Sequence, residues 1–180
     1  MKREKTFNVL VIGTSGLIGS EVLNRLTLAD DINVYGLDYP EIDVTAKELF
    51  TTPFVESLDA VVCAFGLNHH ISELTDSRNS IETIADIEAY NRINLYGLKN
   101  VFDYFLKHNP RIKFIHFNSM YSKQIPKPWY YENELKSLGY VLSKTAAAAL
   151  VKYYAILHPT ATFIDFVIGA VENKQPMYFK

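Results

Sequence analysis

The chain has 180 residues, of which 48% are hydrophobic and 21% charged, and its formal net charge is −2. That composition is typical of a globular domain and excludes a disordered chain, and the charge excludes the basic footprint of a nucleic-acid-binding protein. Cys63 is the only cysteine, which excludes an internal disulfide and fits a reducing compartment. No segment reads as a secretory signal or a membrane span, so we expect a cytoplasmic protein without a membrane partner.

Strand-like and helix-like segments alternate along the chain. Short runs rich in β-branched residues predict strands, and apolar residues at helical spacing predict helices. The predicted strands cover residues 7–13, 32–38, 41–45, 59–66, 111–119 and 161–169, and the predicted helices cover residues 15–26, 46–58, 84–108 and 138–155. Polar loops are expected at 68–83 and 120–137. This alternation predicts an α/β fold with a doubly wound parallel sheet and helices on both faces.

Three glycines stand at three-residue spacing between the first predicted strand and the first predicted helix: Gly13, Gly16 and Gly19. In a dinucleotide-binding turn the first glycine permits a tight turn, the second admits a pyrophosphate, and the third lets helix and strand pack closely. The N-terminus of the helix offers free N–H groups to the phosphates. The alternative is that the glycines serve packing alone. The other turn residues expected to contact the cofactor are Thr14, Ser15, Leu17 and Ile18.

Asp38 ends the second predicted strand and lies 19 residues after Gly19. That spacing is close to the roughly 20 residues that separate a glycine-rich turn from the carboxylate that binds the adenosine ribose. A carboxylate there accepts hydrogen bonds from the ribose hydroxyls and repels a 2′-phosphate. No Arg or Lys lies near Asp38 in the sequence to reverse that preference, so we expect NAD to be bound in preference to NADP.

Later segments resemble those of the short-chain dehydrogenase/reductase superfamily. GTSGLIG resembles its glycine motif, NRINLYGLKNV its asparagine-bearing helix, IHFNS its serine-bearing strand, and YVLSK its Tyr-x-x-x-Lys motif. The motifs occur in the family's order, each on the expected kind of element, over nearly the whole chain. The resemblance implies that residues 1–180 form a single NAD-binding Rossmann domain that lacks the family's C-terminal substrate-covering segment.

The resemblance also implies a catalytic set, which consists of Asn94, Ser119, Tyr140 and Lys144. Tyr140 and Lys144 lie four residues apart and therefore share a helix face. Tyr140 would be the general acid or base, and the Lys144 ammonium would lower the phenol pKa from its ordinary value of about 10 and hold the nicotinamide ribose. Ser119 would orient the substrate oxygen, and Asn94 would hold a water that connects Lys144 to solvent. The alternative for the Tyr–Lys pair alone is an exposed helical pair.

Further cofactor contacts follow from the same resemblance. The segment DVT resembles the one that touches the adenine ring, CAFG the turn that lines the cofactor cleft, and VIGAV the family's Pro-Gly turn, with Ile168 in place of proline. The residues of these segments that we expect at the cofactor, beside Tyr140 and Lys144, are Asp43, Val44, Ala64, Gly66 and Gly169.

The expected function is hydride transfer between a nicotinamide cofactor and an alcohol or ketone. The tail 169–180 resembles reductases of surface-polysaccharide synthesis, which indicates a sugar or nucleotide-sugar derivative as substrate; an epimerase or dehydratase reaction belongs to the same family. The alternative is a non-catalytic dinucleotide-binding regulatory module or an inactive fragment. We expect a homodimer or a dimer-based oligomer through helices 84–108 and 138–155, because the alanine-rich second helix permits close approach. No metal is expected, because His69 and His70 lack partners at ligand spacing.

Overall fold

In the computed structural model of the protein, five parallel strands form one sheet in the order β2-β1-β3-β4-β5. The structure describes residues 6–46, 57–67, 83–123 and 138–169. The strands are β1 (Phe7–Ile12), β2 (Ile32–Leu37), β3 (Ala60–Cys63), β4 (Lys113–Ser119) and β5 (Thr162–Ile168). The helices are α1 (Leu17–Thr27), α2 (Ile84–Asn91), α3 (Leu98–His108) and α4 (Leu138–Leu157). The doubly wound α/β fold expected from the sequence is confirmed.

Both faces of the sheet carry a hydrophobic core. Side chains alternate along a strand, so β1 sends Leu10 and Ile12 to one face and Val9 and Val11 to the other. The first face packs under α3 and α4, where Phe102 is fully buried with its ring centroid 4.7 Å from that of Phe114 and 5.1 Å from that of Phe163. The second face packs under α1 through Val22, Leu23 and Leu26. Short apolar strands buried on both sides are what a central parallel sheet requires.

The predicted strand at 41–45 is wrong. These residues form turns, in which the Ile42 N–H donates to the Asp38 carbonyl at 3.0 Å and the Ala46 N–H donates to the Asp43 carbonyl at 3.0 Å. The run was predicted as a strand because it is rich in β-branched residues, but Ile42 and Val44 are buried in the core from a turn. Most of the predicted helix 46–58, and most of the two predicted loops, lies outside the described residues.

The predicted helix 84–108 is present but not uniform. Thr83 and Asp86 form a capping box at its start, in which the Asp86 N–H donates to the Thr83 hydroxyl and the Thr83 N–H to the Asp86 carboxylate. Between α2 and α3 the chain makes a π-helical segment over Arg92–Gly97. Wide turns of this kind occur often at functional sites, and this one contains Asn94.

The chain reverses its direction of winding between β1 and β3, since β2 lies on one side of β1 and β3 on the other. In a sheet of this type ligands bind at the carboxyl ends of the strands, where the order reverses. Gly13 follows β1 and Ala64 follows β3, and the Ala64 N–H donates to the Ile12 carbonyl at 2.9 Å. The fold therefore places the glycine turn and the CAFG segment at the expected crevice. Among the described helices, none has the length and apolarity to span a membrane.

Candidate active site

The glycine turn has the geometry that two of its glycines require. Gly13 has a φ of 95°, and a Cβ on it would lie 2.6 Å from the backbone nitrogen of Phe65. A Cβ on Gly19 would lie 2.0 Å from the Gly13 carbonyl oxygen. A side chain at either position is excluded by backbone atoms, which cannot move aside as a flexible side chain would. Gly13 and Gly19 thus bring β1, α1 and the segment after β3 together.

Gly16 differs from the other two glycines. It caps α1 in extended conformation, and among the atoms of the described residues a Cβ on it would contact only the Gly13 carbonyl oxygen, at 3.4 Å. No atom of the described part of the chain therefore requires glycine at this position. The bare Cα at an exposed helix N-terminus leaves room for an external group, and the first N–H groups of the helix have no partner within it. These features are the ones that a pyrophosphate site requires, and the cofactor contacts predicted for Thr14, Ser15, Leu17 and Ile18 stay predictions.

Asp38 lies beside this turn, immediately after β2. Its carboxylate accepts hydrogen bonds from the backbone N–H of Ser15 and, at 2.8 Å, from that of Tyr39. Burial raises the pKa of Asp38, but hydrogen bonds from Ser15 and Tyr39 outweigh it and leave the pKa below its ordinary value. The side chain is thus ionised at neutral pH at the edge of the glycine turn, where the sequence predicted a ribose-binding acid.

Asp43 and Val44 lie beside the π-helical segment in different environments. The Asp43 carboxylate accepts from the Thr45 N–H at 2.8 Å and the Thr45 hydroxyl at 2.7 Å, and these bonds are the main reason that its pKa is lowered. Arg92 of the π-helical segment reaches the Thr45 hydroxyl at 3.3 Å. Val44 is buried against Gly97, where a Cβ would lie 2.8 Å from the valine methyl group. The adenine contact predicted for this pair stays a prediction.

The loop after β3 is held by Asn94. The Asn94 carboxamide oxygen accepts from the Leu67 N–H at 2.7 Å, and its nitrogen donates to the Leu67 carbonyl at 3.1 Å and the Ser143 hydroxyl at 3.0 Å. A Cβ on Gly66, the residue before Leu67, would lie 3.2 Å from the Asn94 amide oxygen and 3.5 Å from the Lys144 Nζ. Gly66, Asn94 and Lys144 therefore meet at one point.

Ser119 and Tyr140 are hydrogen-bonded through their side chains. Ser119 is the last residue of β4, and its hydroxyl also accepts from the Tyr121 N–H at 3.3 Å. Tyr140 lies in the first turn of α4, where its ring meets those of Tyr90 and Tyr121 edge to face, with centroids 6.2 and 6.1 Å away. The phenol is thereby directed at the carboxyl end of the sheet and is not exposed on the helix surface.

Lys144 is 6% exposed and lies one helical turn after Tyr140. Its Nζ donates to the Phe117 carbonyl at 3.2 Å. Burial lowers the pKa of Lys144 to about 8, while the charge of Asp165 acts in the opposite direction. The alternative of an exposed Tyr–Lys pair is therefore excluded, since both side chains are buried at the sheet edge.

The pKa of Tyr140 is raised, not lowered as predicted, and the described residues that shift it do not include Lys144. Burial raises the pKa of Tyr140, the hydrogen bond with Ser119 lowers it, the nearby Tyr90 raises it, and the net pKa lies above the ordinary value. A phenol removed from water is harder to ionise, and the Lys144 ammonium is held by the Phe117 carbonyl. The helix spacing indicated that the two residues share a face, but it carried no information on burial.

Four polar residues near this set have no counterpart in the predictions: Ser143, His116, Asn118 and Asp165. All but Asp165 are nearly inaccessible, and Ser143 donates to the Tyr140 carbonyl at 2.9 Å besides accepting from Asn94. A histidine and an aspartate inside otherwise apolar strands were the available sequence signal. Gly169 follows β5 and is open, with no described atom within 4 Å of the place a Cβ would take. Across the described ranges no cluster of His, Cys, Asp and Glu fits a metal ion, and His69 and His70 fall outside them.

Comparison with solved structures shows the same fold. A short-chain dehydrogenase from Leptospira borgpetersenii serovar Hardjo-bovis with bound NAD+ is 18% identical, with a TM-score of 0.75 over 96% of this chain and 74% of that one. A gluconate 5-dehydrogenase from Burkholderia cenocepacia in complex with NADP and tartrate is 16% identical, with a TM-score of 0.65 over 96% and 74%. A GDP-6-OMe-4-keto-L-xylo-heptose reductase from C. jejuni is 18% identical, with a TM-score of 0.71 over 96% and 49%.

No curated protein matches the sequence. The family model of the NAD dependent epimerase/dehydratase family matches residues 9–173, which include the glycine turn and all four residues of the predicted catalytic set. The match confirms the resemblance to the short-chain dehydrogenase/reductase superfamily and supports a nicotinamide dinucleotide as cofactor. The chain belongs to the NAD dependent epimerase/dehydratase family and is an NAD(P)-dependent oxidoreductase or epimerase.

Proposed function

We propose that the protein is an NAD-dependent oxidoreductase that transfers a hydride between the nicotinamide and an alcohol or ketone. The observation that carries the proposal is the hydrogen bond between the Ser119 and Tyr140 side chains at the carboxyl end of the sheet, with buried Lys144 one helical turn away. A carbonyl reduced by hydride needs one proton, and an alcohol being oxidised must lose one. A buried phenol next to a serine hydroxyl can donate a proton to the carbonyl oxygen of the substrate, or accept one from the alcohol oxygen, while the serine hydroxyl contacts that same oxygen.

Within this function each residue of the set has a defined role. Ser119 donates a hydrogen bond to the substrate oxygen and orients it, and Tyr140 gives or takes the proton at that oxygen. Lys144 holds the nicotinamide ribose. Asn94 fixes the segment after β3 through both atoms of the Leu67 peptide, and it holds a water that connects Lys144 to solvent. The bound nicotinamide supplies the hydride chemistry, which no side chain of the protein can perform.

We propose NAD rather than NADP because Asp38 is anionic beside the glycine turn. Its carboxylate accepts from the Ser15 N–H, and hydrogen bonds keep its pKa below the ordinary value despite burial. A fixed negative charge at the ribose accepts hydrogen bonds from hydroxyl groups but repels a phosphate. The solved structures of similar fold include both an NAD+ and an NADP complex, so the preference rests on Asp38.

For the substrate we propose a keto or hydroxy sugar derivative, attached to a nucleotide or free. The C. jejuni protein of similar fold is named as a reductase of a GDP-linked 4-keto sugar, and the Burkholderia protein as a gluconate dehydrogenase. Both names describe carbonyl and hydroxyl groups on a sugar carbon, which is the chemistry that a Ser–Tyr pair recognises. A panel of nucleotide-linked and free keto sugars with NADH is therefore the first substrate set to test.

Substitution of Tyr140 by Phe tests the enzymatic proposal against a non-catalytic dinucleotide-binding module. The change removes the hydroxyl and keeps the ring contacts with Tyr90 and Tyr121. We expect turnover to fall by about 10²–10⁴-fold, as for the loss of a general acid–base group, with NADH affinity unchanged. Tyr153→Phe, an exposed tyrosine on the same helix, is the control. If the wild type binds NADH but reduces no carbonyl in the panel, or if Tyr140→Phe keeps the full rate, the regulatory module is favoured.

We also propose a homodimer through α4 and the helices α2 and α3 with the π-helical segment between them. α4 exposes Leu142, Tyr153 and Ile156, and Tyr96 of the π-helical segment is 47% exposed. Burying such apolar side chains between two copies is favourable in proportion to the area removed from water. We expect light scattering at micromolar concentration to give twice the monomer mass. Ala149 is exposed on α4, and Ala149→Glu should reduce the measured mass to that of the monomer. A monomeric wild type contradicts the proposal.

A further inference from the structure

Strands β4 and β5 carry three polar side chains on the sheet face that packs under α3 and α4. His116 and Asn118 alternate with Phe117 and so share the face of Phe114, where they are 2% and 1% exposed. Asp165 is partly buried beside them, as the register partner of His116 on β5. Burying polar groups costs free energy unless each is hydrogen-bonded, and apolar side chains would fill this space without that cost. The group therefore calls for a role beyond packing.

A series of hydrogen bonds leads from these side chains to the backbone of Ser119. His116 Nδ1 lies 2.8 Å from Oδ1 of Asp165, and the Asn118 amide nitrogen donates to Oδ2 at 3.1 Å. The Asn118 carboxamide oxygen accepts from the Ser119 N–H at 2.8 Å. We call these three bonds the strand-end network, because they end at the last residue of β4.

The charge of Asp165 determines the direction of every bond in the strand-end network. Burial raises the pKa of Asp165, but hydrogen bonds from His116 and Asn118 bring it below the ordinary value, and an ionised carboxylate can only accept. The Asn118 amide must therefore turn its nitrogen to Asp165, which leaves its oxygen for the Ser119 N–H. Burial lowers the pKa of His116 more than the bond to Asp165 raises it, so the imidazole is neutral and carries its proton on Nδ1.

The hydroxyl of Ser119 has contacts of its own. It accepts from the Tyr121 N–H at 3.3 Å and is hydrogen-bonded to the Tyr140 side chain. These contacts orient the hydroxyl group, whereas Asn118 holds the backbone from which the side chain extends. Because β4 ends at Ser119, strand pairing does not hold the chain beyond it. The bond to Asn118 thus acts on the one residue of β4 that belongs to the predicted catalytic set.

We propose that Asn118 and Asp165 are positioning residues of the active site, which hold the backbone of Ser119 so that its hydroxyl meets both the Tyr140 phenol and the substrate oxygen. His116 holds the other oxygen of the Asp165 carboxylate. The proposal rests on the function proposed above, in which Ser119 orients the substrate oxygen. A misplacement of about 1 Å at a reacting group can cost about 10²-fold in rate, so a fixed strand end matters to turnover.

Hydrogen exchange of the Ser119 amide, followed by NMR in the full 15N-labelled chain, tests the strand-end network without turnover. Asp165→Leu removes the acceptor that orients Asn118. We expect exchange of the Ser119 N–H to accelerate about fivefold relative to that of Val11 in β1, as for the loss of one hydrogen bond. A general loss of stability accelerates both amides alike, so the ratio isolates Ser119. An unchanged ratio in Asp165→Leu overturns the proposal.

Turnover of the keto-sugar panel with NADH is the second readout. Asn118→Leu removes both the acceptor for the Ser119 N–H and the donor for Asp165. We expect kcat to fall by up to about 10²-fold. The affinity for NADH should stay at the wild-type value, because Asp38 and the glycine turn are untouched. A folded Asn118→Leu that keeps the wild-type kcat contradicts the proposal.

Asn109→Leu is the matched control, because Asn109 makes the same kind of contacts ahead of the opposite end of β4. Its amide oxygen accepts from the Arg111 N–H at 3.0 Å, and its nitrogen donates to the Leu58 carbonyl at 3.0 Å. The substitution should lower the free energy of unfolding but change neither kcat nor the exchange ratio of Ser119 to Val11. A fall in kcat equal to that of Asn118→Leu would show that loss of stability alone explains both, and would overturn the proposal.

The double variant Asn118→Asp/Asp165→Asn should restore what Asn118→Leu removes. The amide at 165 can turn its oxygen to the His116 Nδ1–H and its nitrogen to the carboxylate at 118, which still accepts the Ser119 N–H. We expect its kcat to be well above that of Asn118→Leu, and a folded double variant that is no faster contradicts the network. A wild type that binds NADH but turns over no sugar counts against the proposed function, whereas the exchange ratio in Asp165→Leu still decides on the network.

Discussion

The two halves of the site are built in different ways. The half around β1 and α1 is made largely of backbone: a turn with a φ of 95° at Gly13, an open helix N-terminus and one anionic side chain, Asp38. The half around β4, α4 and β5 is made of buried polar side chains, including a lysine that is 6% exposed. The first half forms a shape that excludes side chains, and the second holds charges out of water.

The two halves differ in the term that opposes their folding. A glycine turn loses conformational entropy on folding but buries no charge. A lysine removed from water destabilises the folded state unless its surroundings replace the lost hydration. The half around β1 and α1, called the cofactor half below after its proposed role, should therefore tolerate changes that keep its shape. The half around β4, α4 and β5 should become more stable when its buried charged side chain is replaced by an apolar one.

The largest expected effect is on stability, in Lys144→Met. The pKa of Lys144 is about 8 in the fold and about 10.5 in the unfolded chain, so the unfolded state binds more protons between these values and wild-type stability rises with pH there. The penalty is complete below pH 8, where about 2.5 pKa units correspond to about 3 kcal/mol. Lys144→Met should remove up to that amount at pH 7 and little above pH 10.5.

Urea unfolding at pH 7 and at pH 10.5 measures this difference. Lys152→Met, an exposed lysine on the same helix, is the control and should change little at either pH. Loss of the bond to the Phe117 carbonyl will offset part of the gain. A destabilised Lys144→Met at pH 7 would show that the two halves do not differ in the way described.

The next effect separates two glycines of the cofactor half. Gly19→Ala places a Cβ 2.0 Å from a backbone oxygen, so the strand and helix must separate, at a cost of about 1–3 kcal/mol. Gly16→Ala places a Cβ at 3.4 Å and should cost no more than about 1 kcal/mol as a poorer helix cap. Its cofactor affinity should fall nonetheless, because the methyl group occupies the space proposed for the pyrophosphate. Thermal unfolding together with NAD+ titration checks both, and equal behaviour of the two variants contradicts the assignment of Gly16.

The smallest expected effect concerns Asp38. Asp38→Ala should weaken NAD+ binding about tenfold, equivalent to about 1.4 kcal/mol. It should also reduce the difference between the affinities for NAD+ and NADP+. Glu41→Ala, an exposed carboxylate three residues later, should leave both affinities unchanged. Calorimetric titration with each dinucleotide provides the measurement. Equal affinity of the wild type for the two cofactors removes the basis for the NAD preference.

The cofactor half was largely predictable because its information is local. Gly13, Gly16, Gly19 and Asp38 lie in one short stretch, and steric rules assign each a position without knowledge of its neighbours. The order of strands and helices followed from the alternation of patterns, and the structure brings Asn94, Ser119, Tyr140 and Lys144 to one edge of the sheet as expected.

The errors came from features that depend on distant residues. Ile42 and Val44 belong to a short run rich in β-branched residues, as strands often do, but they are buried in the core without strand pairing, and Val44 contacts Gly97 of the π-helical segment. The pKa of Tyr140 is set by burial, which residue spacing does not reveal. The hydrogen bonds of Asp165 with His116 and Asn118 depend on the register of β4 against β5, which no local pattern contains.

The π-helical segment Arg92–Gly97 makes the site sensitive to chain length. A regular α-helix turns about 100° per residue, so each residue inserted or removed rotates everything after it by that angle. Asn94 binds the loop after β3, while Leu98, Val101 and Phe102 further along face the core. A chain one residue shorter here would form a more regular helix, but it could not direct both groups correctly at once. An insertion or deletion in this segment would therefore disrupt either the Asn94 contacts or the core packing. A substitution at the exposed Tyr96 would leave the length of the segment, and hence both groups, unchanged.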